Sequence, residues 1–343
     1  MMTQHYLAAL TAALIGVWPV PVTVAEQPLP TPSHVCLVDG KEVKNDLHLD
    51  VAGVRLYACS EECLKRITEN RGYVRLIEES GRDPEQIPVH RSRPWTEEEV
   101  LDGMVLIEGG EFVRPGSFFA RQGRTPEPVD HDGYRVQVSS FYLDKYEVTY
   151  EHYCKFLSDG NEKYTTGGIS RDENGQFVPP RPEWARFPVR GTNYFHARGY
   201  AQWASKRLPT EAEWEYAHGG RTGRTYPWGE EEPGETRANF GPMFKGLKPV
   251  GSFPEGRTPE GVFDLAGNIG EWCADYYDSN YYRLPPANPL KDPQGPESGF
   301  RRAYRLGCQC KQATTTDLHG NLRCYASPFR AVGCVGFRCA RSK

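Results

Sequence analysis

Three groups of residues in this 343-residue chain have the types and spacing to do chemistry. The first is Cys36, Cys59 and Cys63, spaced C-x22-C-x3-C. Ser60 is a good helix N-cap, so Cys59 stands just before a helix and Cys63 lies one turn into it. Two short strands, at 42–43 and Val54–Tyr57, are expected to precede that helix. Cys36 then reaches the pair from the opposite loop. Three converging thiolates suit a soft ion such as Cu(I), Zn(II) or Cd(II), with His34 or His48 as candidate fourth ligand. The alternative is a disulfide between two of the three, with one thiol left over. The second group is Asp264 and Glu271, in one tight loop with Gly267, Asn268 and Gly270 between them. Glycines let carbonyls join carboxylates around a hard cation, so Ca(II) is one reading. A Gly-rich turn in which Glu271 accepts from backbone amides is the other. The third is Cys308-Gln-Cys310. On an extended segment such a pair shares a face, with Cα atoms roughly 6.6 Å apart. A direct disulfide would be strained, and a bridging soft metal, Cu(I) above all, fits more easily. Disulfides such as Cys310 to Cys324 or Cys334, or buried thiols, are the alternatives.

The elements that must position these residues are short and irregular. With 35 Gly and 28 Pro the chain reads as loop-rich rather than as a helical bundle. Alternating stretches at Met104–Ile107 and Tyr134–Val138 read as strands. Thr210 and Glu213 form a capping box that opens a helix ending at Gly219-Gly220. A second helix spans about 194–205, and Tyr200, Trp203 and Ala204 make its apolar stripe. Both helices read as core packing. A net charge of −4 argues against a general nucleic-acid binder. No long apolar run follows the first twenty or so residues, so no internal membrane span is expected. Residues 1–25 read as a signal peptide: 7–18 are apolar, and Thr23-Val24-Ala25 precedes Glu26 as a cleavage site. The missing Lys or Arg in residues 1–6 leaves an uncleaved anchor as the alternative. Export to the periplasm or medium would expose the ten cysteines to oxidising conditions, where they pair or bind metal. Residues 26–33 read as a Pro-rich linker, 34–77 as a small cysteine module, 78–99 as a second linker and 100–343 as a large domain.

Two resemblances sharpen this reading. Gly53-Val-Arg-Leu-Tyr-Ala-Cys-Ser-Glu-Glu-Cys63, with Gly40, Val43 and Tyr73, makes the module similar to the TRASH/YHS metal-binding family. The large domain carries, in order, Met104-Val-Leu-Ile-Glu-Gly-Gly-Glu-Phe112, Asp144-Lys-Tyr-Glu-Val-Thr149, Lys206-Arg-Leu-Pro-Thr-Glu-Ala-Glu-Trp-Glu-Tyr216, Tyr226-Pro-Trp-Gly229, Ala238-Asn239, the loop at 261–272 and Gly336-Phe-Arg-Cys339. It resembles the formylglycine-generating (sulfatase-modifying factor) family. The resemblance implies an α+β, loop-rich, C-type-lectin-like fold. It also implies calcium held by the side chains of Asp264 and Glu271 and the carbonyls of Gly267 and Ile269. The family's other calcium site starts at the Asn matching Asn239, but no acidic residue lies between Asn239 and Val250 to complete it.

Family enzymes oxidise a substrate cysteine with O₂, using copper held by two thiolates five residues apart after a Gly-Gly-Ser turn. This chain departs from that pattern. Cys308 falls where the family has Ser, and Cys310 falls one place before the first active cysteine. Counting back from Cys324 puts His319 at the second. Cys324 and Cys339 match cysteines that are disulfide-bonded in eukaryotic members, but His218 and Ala201 stand at the partner positions. The catalytic candidates are therefore Cys308, Cys310 and His319. The expected function is an exported accessory or maturation factor that engages a client polypeptide or a periplasmic metalloenzyme such as a copper nitrite reductase. A formylglycine-forming oxidase with an altered copper site, and a non-catalytic lectin-like binding module, are the rivals.

Overall fold

The computed structural model describes residues 47–51, 54–58, 60–69, 89–114, 118–119, 127–128, 134–166, 168–241, 246–282, 289–299, 301–305 and 315–343. Strands β1 (His48–Val51) and β2 (Val54–Tyr57) form an antiparallel hairpin with Val51 opposite Val54. The observed partner of β2 is thus β1, and the expected strand at 42–43 lies outside the described residues. Helix α1 (Glu61–Glu69) follows, and Ser60 Oγ accepts the Cys63 N–H at 3.2 Å as the capping argument requires.

Ahead of the next helix, side chains of the segment at 91–95 reach the end of a later helix: Arg91 donates to the Gln202 and Trp203 carbonyls, and Trp95 Nε1 donates to Trp203 O at 2.8 Å. The Trp95 and Trp203 rings meet edge-on at 5.1 Å. Thr96 and Glu99 then close a capping box at the start of α2 (Glu97–Leu101). Next come β3 (Met104–Ile107), β4 (Gly110–Arg114), β5 (Phe118–Phe119), β6 (Glu127–Pro128), β7 (Tyr134–Val138), β8 (Phe141–Asp144) and α3 (Tyr150–Ser158). The hairpin β9 (Ser170–Arg171) and β10 (Phe177–Val178) precedes α4 (Tyr194–Trp203) and α5 (Glu211–Gly219). The chain closes with β11 (Gly270–Tyr276), β12 (Leu290–Lys291), β13 (Arg302–Arg305), β14 (Leu322–Ala326), β15 (Val335–Gly336) and β16 (Ala340–Ser342).

The strands form a mixed sheet in the order β15-β11-β13-β14-β5-β6 and two three-stranded sheets, β12-β7-β4 and β16-β8-β3. The alternation read in 134–138 holds: Tyr134, Val136 and Val138 are buried while Arg135 and Gln137 face solvent. Strands β3 and β7 match the expected ranges residue for residue. Helix α5 starts with the predicted Thr210–Glu213 box. Two apolar clusters make the core. One packs α3 and α4 around Tyr153, Phe156, Tyr200, Trp203, Trp272 and Phe337. The other packs β7, β8 and α5 around Val136, Phe141, Leu143 and Trp214. Each such side chain contributes about 1.5–3 kcal/mol on full burial. In the Gly-Phe-Arg-Cys motif Gly336 has a steric reason: a Cβ there would stand 2.3 Å from Val189 O.

Candidate functional site

The loop that enters β11 puts Asp264, Gly267 and Asn268 in the left-handed region, with φ of 60°, 97° and 60°. Only a tight turn demands this, and Asp and Asn tolerate it better than most residues. Asn239 clamps the turn, because its carbonyl accepts the Asn268 N–H at 2.9 Å. Asp264 Oδ2 accepts the Gly251 N–H at 2.7 Å. The Gly267 carbonyl accepts the Ile269 N–H at 2.8 Å. Glu271 has stronger partners than the backbone amides considered from sequence. Arg338 grips both of its oxygens at 2.7 Å, and Trp214 Nε1 donates to one of them at 2.9 Å.

A third carboxylate, Glu147, shares this interior. Its Oε1 accepts from Asn268 Nδ2 at 3.2 Å, and its Oε2 is buried with no hydrogen-bond partner among the described residues. Burial, then the charge of Asp264, pushes Glu147 well above the usual carboxylate range. Burial likewise raises Asp264 to about 6, against the pull of the Gly251 N–H and of Arg338. Three buried carboxylates thus face one buried guanidinium, and burial favours the protonated form of Glu147 and Asp264. This fits a hard cation in charge and in donor type. Among the described residues no three His, Cys, Asp or Glu side chains surround one point, so backbone carbonyls would have to complete the shell.

The second feature is a cavity of about 170 Å³ between α5 and the turn that follows the 3-10 helix Thr315–Leu318. Glu215, His218, Arg224, His319 and Asn321 line it, together with Phe112. His218 stacks on Trp214 and shares a hydrogen bond between Nε2 and Leu318 O at 3.1 Å. Gly320 leaves room for it, since a Cβ there would stand 2.5 Å from His218 Nδ1. Burial, reinforced by the charges of Arg305, Arg224 and His319, lowers the His218 pKa to about 3, so the ring is neutral. His319 packs edge-on against Tyr226 at 5.3 Å. Beneath the cavity Glu215 pairs with Arg114 at 2.5 Å and Arg305 at 3.0 Å. Arg305 also reaches Glu211, which Arg323 holds at 2.7 Å. Burial alone would raise Glu211, yet Arg323, Arg305 and Arg114 bring it down to about 2.

Of the catalytic candidates, His319 lines this cavity, while Cys308 and Cys310 lie outside the described residues. Cys36, Cys59 and His34 also lie outside them. Cys63 is buried on α1, and His48 sits on β1 with Nε2 3.5 Å from Asp50. Cys154, Cys273 and Cys339 are buried free thiols. Burial raises Cys154 to about 11 and the other two well above the usual thiol value, so none is a ready thiolate. Sequence reading passed over Glu147, Arg338, Arg224 and His218 as functional groups. The first two stand inside quoted motifs, with apolar neighbours Tyr146, Val148 and Phe337. That was the available sign of burial, but nothing in one sequence shows that residues 147, 264, 271 and 338 converge.

Residues 91–343 match the model of the sulfatase-modifying factor enzyme 1-like domain. The chain is 38% identical over 252 residues to the serine/threonine-protein kinase pkn1 of Chlamydia pneumoniae, which covers 71% of this chain but 38% of that protein. It therefore spans well under half the length of that relative. It is 30% identical over 295 residues to the formylglycine-generating enzyme of Streptomyces coelicolor, covering 69% of this chain and 88% of the enzyme. Among solved structures, PvdO from Pseudomonas aeruginosa superposes with a TM-score of 0.51 at 24% identity, over 70% of this chain and 94% of PvdO. With ordered motifs, short mixed sheets, the clamped loop before β11 and a family match over most of its length, the chain belongs to the sulfatase-modifying factor enzyme 1-like family.

Proposed function

We propose that this chain is an exported accessory factor of the formylglycine-generating type. It engages a client polypeptide in the maturation of a periplasmic metalloenzyme, for example a copper nitrite reductase, and does not itself form formylglycine. The observation that carries the reading is His319, which lines the cavity at the position where counting places the second thiolate of the enzymes. Imidazole is a harder donor than thiolate and favours Cu(II), whereas reaction with O₂ at a thiolate site starts from the reduced metal. The test is mass spectrometry of a sulfatase-type cysteine peptide after incubation with copper-loaded protein, reductant and air. The thiol mass is expected to persist. Rapid, complete conversion to the aldehyde, abolished by Cys310→Ser, would overturn the reading. It would favour a copper-dependent oxidase with an altered site, which the 30% identity to the Streptomyces coelicolor enzyme supports.

In the same reading the N-terminal module is of the TRASH/YHS type and holds one soft ion, copper or zinc, through Cys36, Cys59 and Cys63. The capped start of α1 beside Cys63 supports it. Native mass spectrometry of the metal-loaded full chain should show one bound ion that is lost on replacing the three cysteines with serine. An unchanged metal count in that variant would rule the assignment out.

A further inference from the structure

Several surface arginines of this domain are met by a carboxylate: Arg93 by Glu99, Arg135 by Glu111, Arg171 by Glu162 and Arg207 by Glu213. Arg181 and Arg190 are met by an aromatic ring instead. Their guanidinium carbons stand over the indole of Trp184, 5.3 and 5.6 Å from its centroid. Arg190 also bonds the hydroxyl of buried Tyr150. Neither arginine forms an ion pair among the described residues. The nearby acids do not fill that role. Glu151 is held by Lys155 at 2.9 Å and feels the charge of Arg186 as well. Glu183, in the same turn as Trp184, is exposed to water.

The segment that carries these residues is fixed in place. Pro182 starts a 3-10 turn, Pro182–Trp184. The N–H groups of Trp184 and Phe187 donate to the carbonyls of Arg181 and Trp184, both at 2.9 Å. The Phe187 carbonyl accepts the Tyr150 N–H at the start of α3, and the Arg186 carbonyl accepts the Val250 N–H, both at 3.0 Å. Trp184 stacks on Phe187 at 6.0 Å, and both pack against the core cluster of α3 and α4. Trp184 is only partly buried, and Arg181 is exposed. A guanidinium over an indole spends its flat face on the cation–π contact and keeps its in-plane N–H donors for a carboxylate. A fixed platform also spares part of the ordering cost of binding.

We propose that Arg181, Trp184 and Arg190 form a docking site for an acidic segment of a client polypeptide. Carboxylates of the segment meet Arg181 and the remaining donors of Arg190, and an apolar side chain lies on the open part of Trp184. Charge complementarity favours a peptide over a nucleic acid. A phosphate backbone is held by many cations, whereas this patch offers two guanidiniums on a chain of net charge −4. None of the three residues lines the cavity beside α5. This assignment rests on the client-polypeptide reading above.

The test is calorimetric titration of the full chain with three probes. These are the end-blocked peptide Glu-Glu-Leu-Glu-Glu, its counterpart with glutamine for every glutamate, and a short single strand of thymidines. The acidic peptide is expected to bind about tenfold or more tightly than the glutamine peptide. Arg181→Gln and Arg190→Gln should each remove most of that preference and leave glutamine-peptide binding unchanged. Arg135→Gln takes the same charge from β7 and should leave the preference intact, which separates the site from the overall charge. Should Arg190→Gln fail to fold for want of its bond to Tyr150, Arg181→Gln, at an exposed position, decides alone. Equal binding of the two peptides, a preference that survives in Arg181→Gln, an equal loss in Arg135→Gln, or tighter binding of the thymidine strand would each overturn the assignment. Formylglycine formation on the cysteine peptide would overturn the accessory reading and leave this titration standing. Absence of an acidic-peptide preference would do the reverse.

Discussion

Asp275 has no solvent exposure; its Oδ2 accepts the Glu211 N–H at 2.8 Å, and its Oδ1 has no partner among the described residues. Its folded pKa of about 8 lies far above the roughly 3.9 of an unfolded aspartate. Between these values the folded protein keeps a proton that the unfolded chain has released. Stability therefore falls as pH rises through this window and is fully retained only below the unfolded value. Buried His196 and His218 act with the opposite sign, because the unfolded chain binds their protons first, but that effect fades above about pH 6.5. From pH 7 to 8 the aspartate remains, and Glu147, which burial also raises, acts with the same sign. We expect chemical denaturation to show a loss of about 1 kcal/mol across that unit of pH. Asp275→Asn keeps an oxygen for the Glu211 N–H and should flatten the slope. A native protein with no loss between pH 7 and 8 would show that Asp275 is ionised in the fold.

At the scale of elements, close backbone approach explains the motifs better than helix propensity does. Gly336 on β15 lies in parallel register with Glu271 on β11, so it sits directly beside the carboxylate that Arg338 grips. A methyl group at 336 would meet Val189 O at 2.3 Å and must push the strand away. Gly336→Ala should therefore cost about 1–3 kcal/mol, as overpacking of a filled core does. It should also loosen the Glu271–Arg338 pair. Thermal melts of the variant against Gly333→Ala, whose Cβ meets nothing within 4 Å, will separate the steric effect from a general glycine effect. Equal melting points for the two would remove this explanation of the motif.

At the scale of the whole molecule, Glu147, Asp264, Glu271 and Arg338 tie together the turn after β8, the loop before β11 and the segment before β16. A hard cation at Asp264, with Glu147 or Glu271 and the carbonyls of Gly267 and Ile269, would offset the cost of burying these carboxylates. It would then stabilise the domain by mass action. At a hundredfold excess of calcium over its Kd the melting temperature should rise by about 5–10 °C relative to chelator. The rise should vanish in Asp264→Ala and shrink in Glu147→Gln. Identical melts of the native protein with calcium and with chelator would mean that Arg338 alone balances the carboxylates.

The residues that one sequence can place are those governed by near neighbours in the chain. The helix starts at Thr210 and Ser60 and the alternation of 134–138 depend on contacts a few residues apart, so type and spacing determined them. The ordered motifs extended this to the fold, because the motif order of the family specifies how distant strands meet. The charged interior was not legible in that way. Arg338 and Glu271 are 67 residues apart, and Arg323 and Glu211 are 112 apart, yet each pair is buried and mutually neutralised. Spacing carries no information about such pairs, since either partner alone reads as a solvated surface charge. Their burial follows only from the sheet order that brings β11, β13 and β14 together over α5. The tertiary structure likewise decided that Glu271 faces a guanidinium rather than backbone amides and that His218 and His319 share one cavity. In both cases the cause is long-range packing, which sets the electrostatic surroundings of a side chain and so its chemistry.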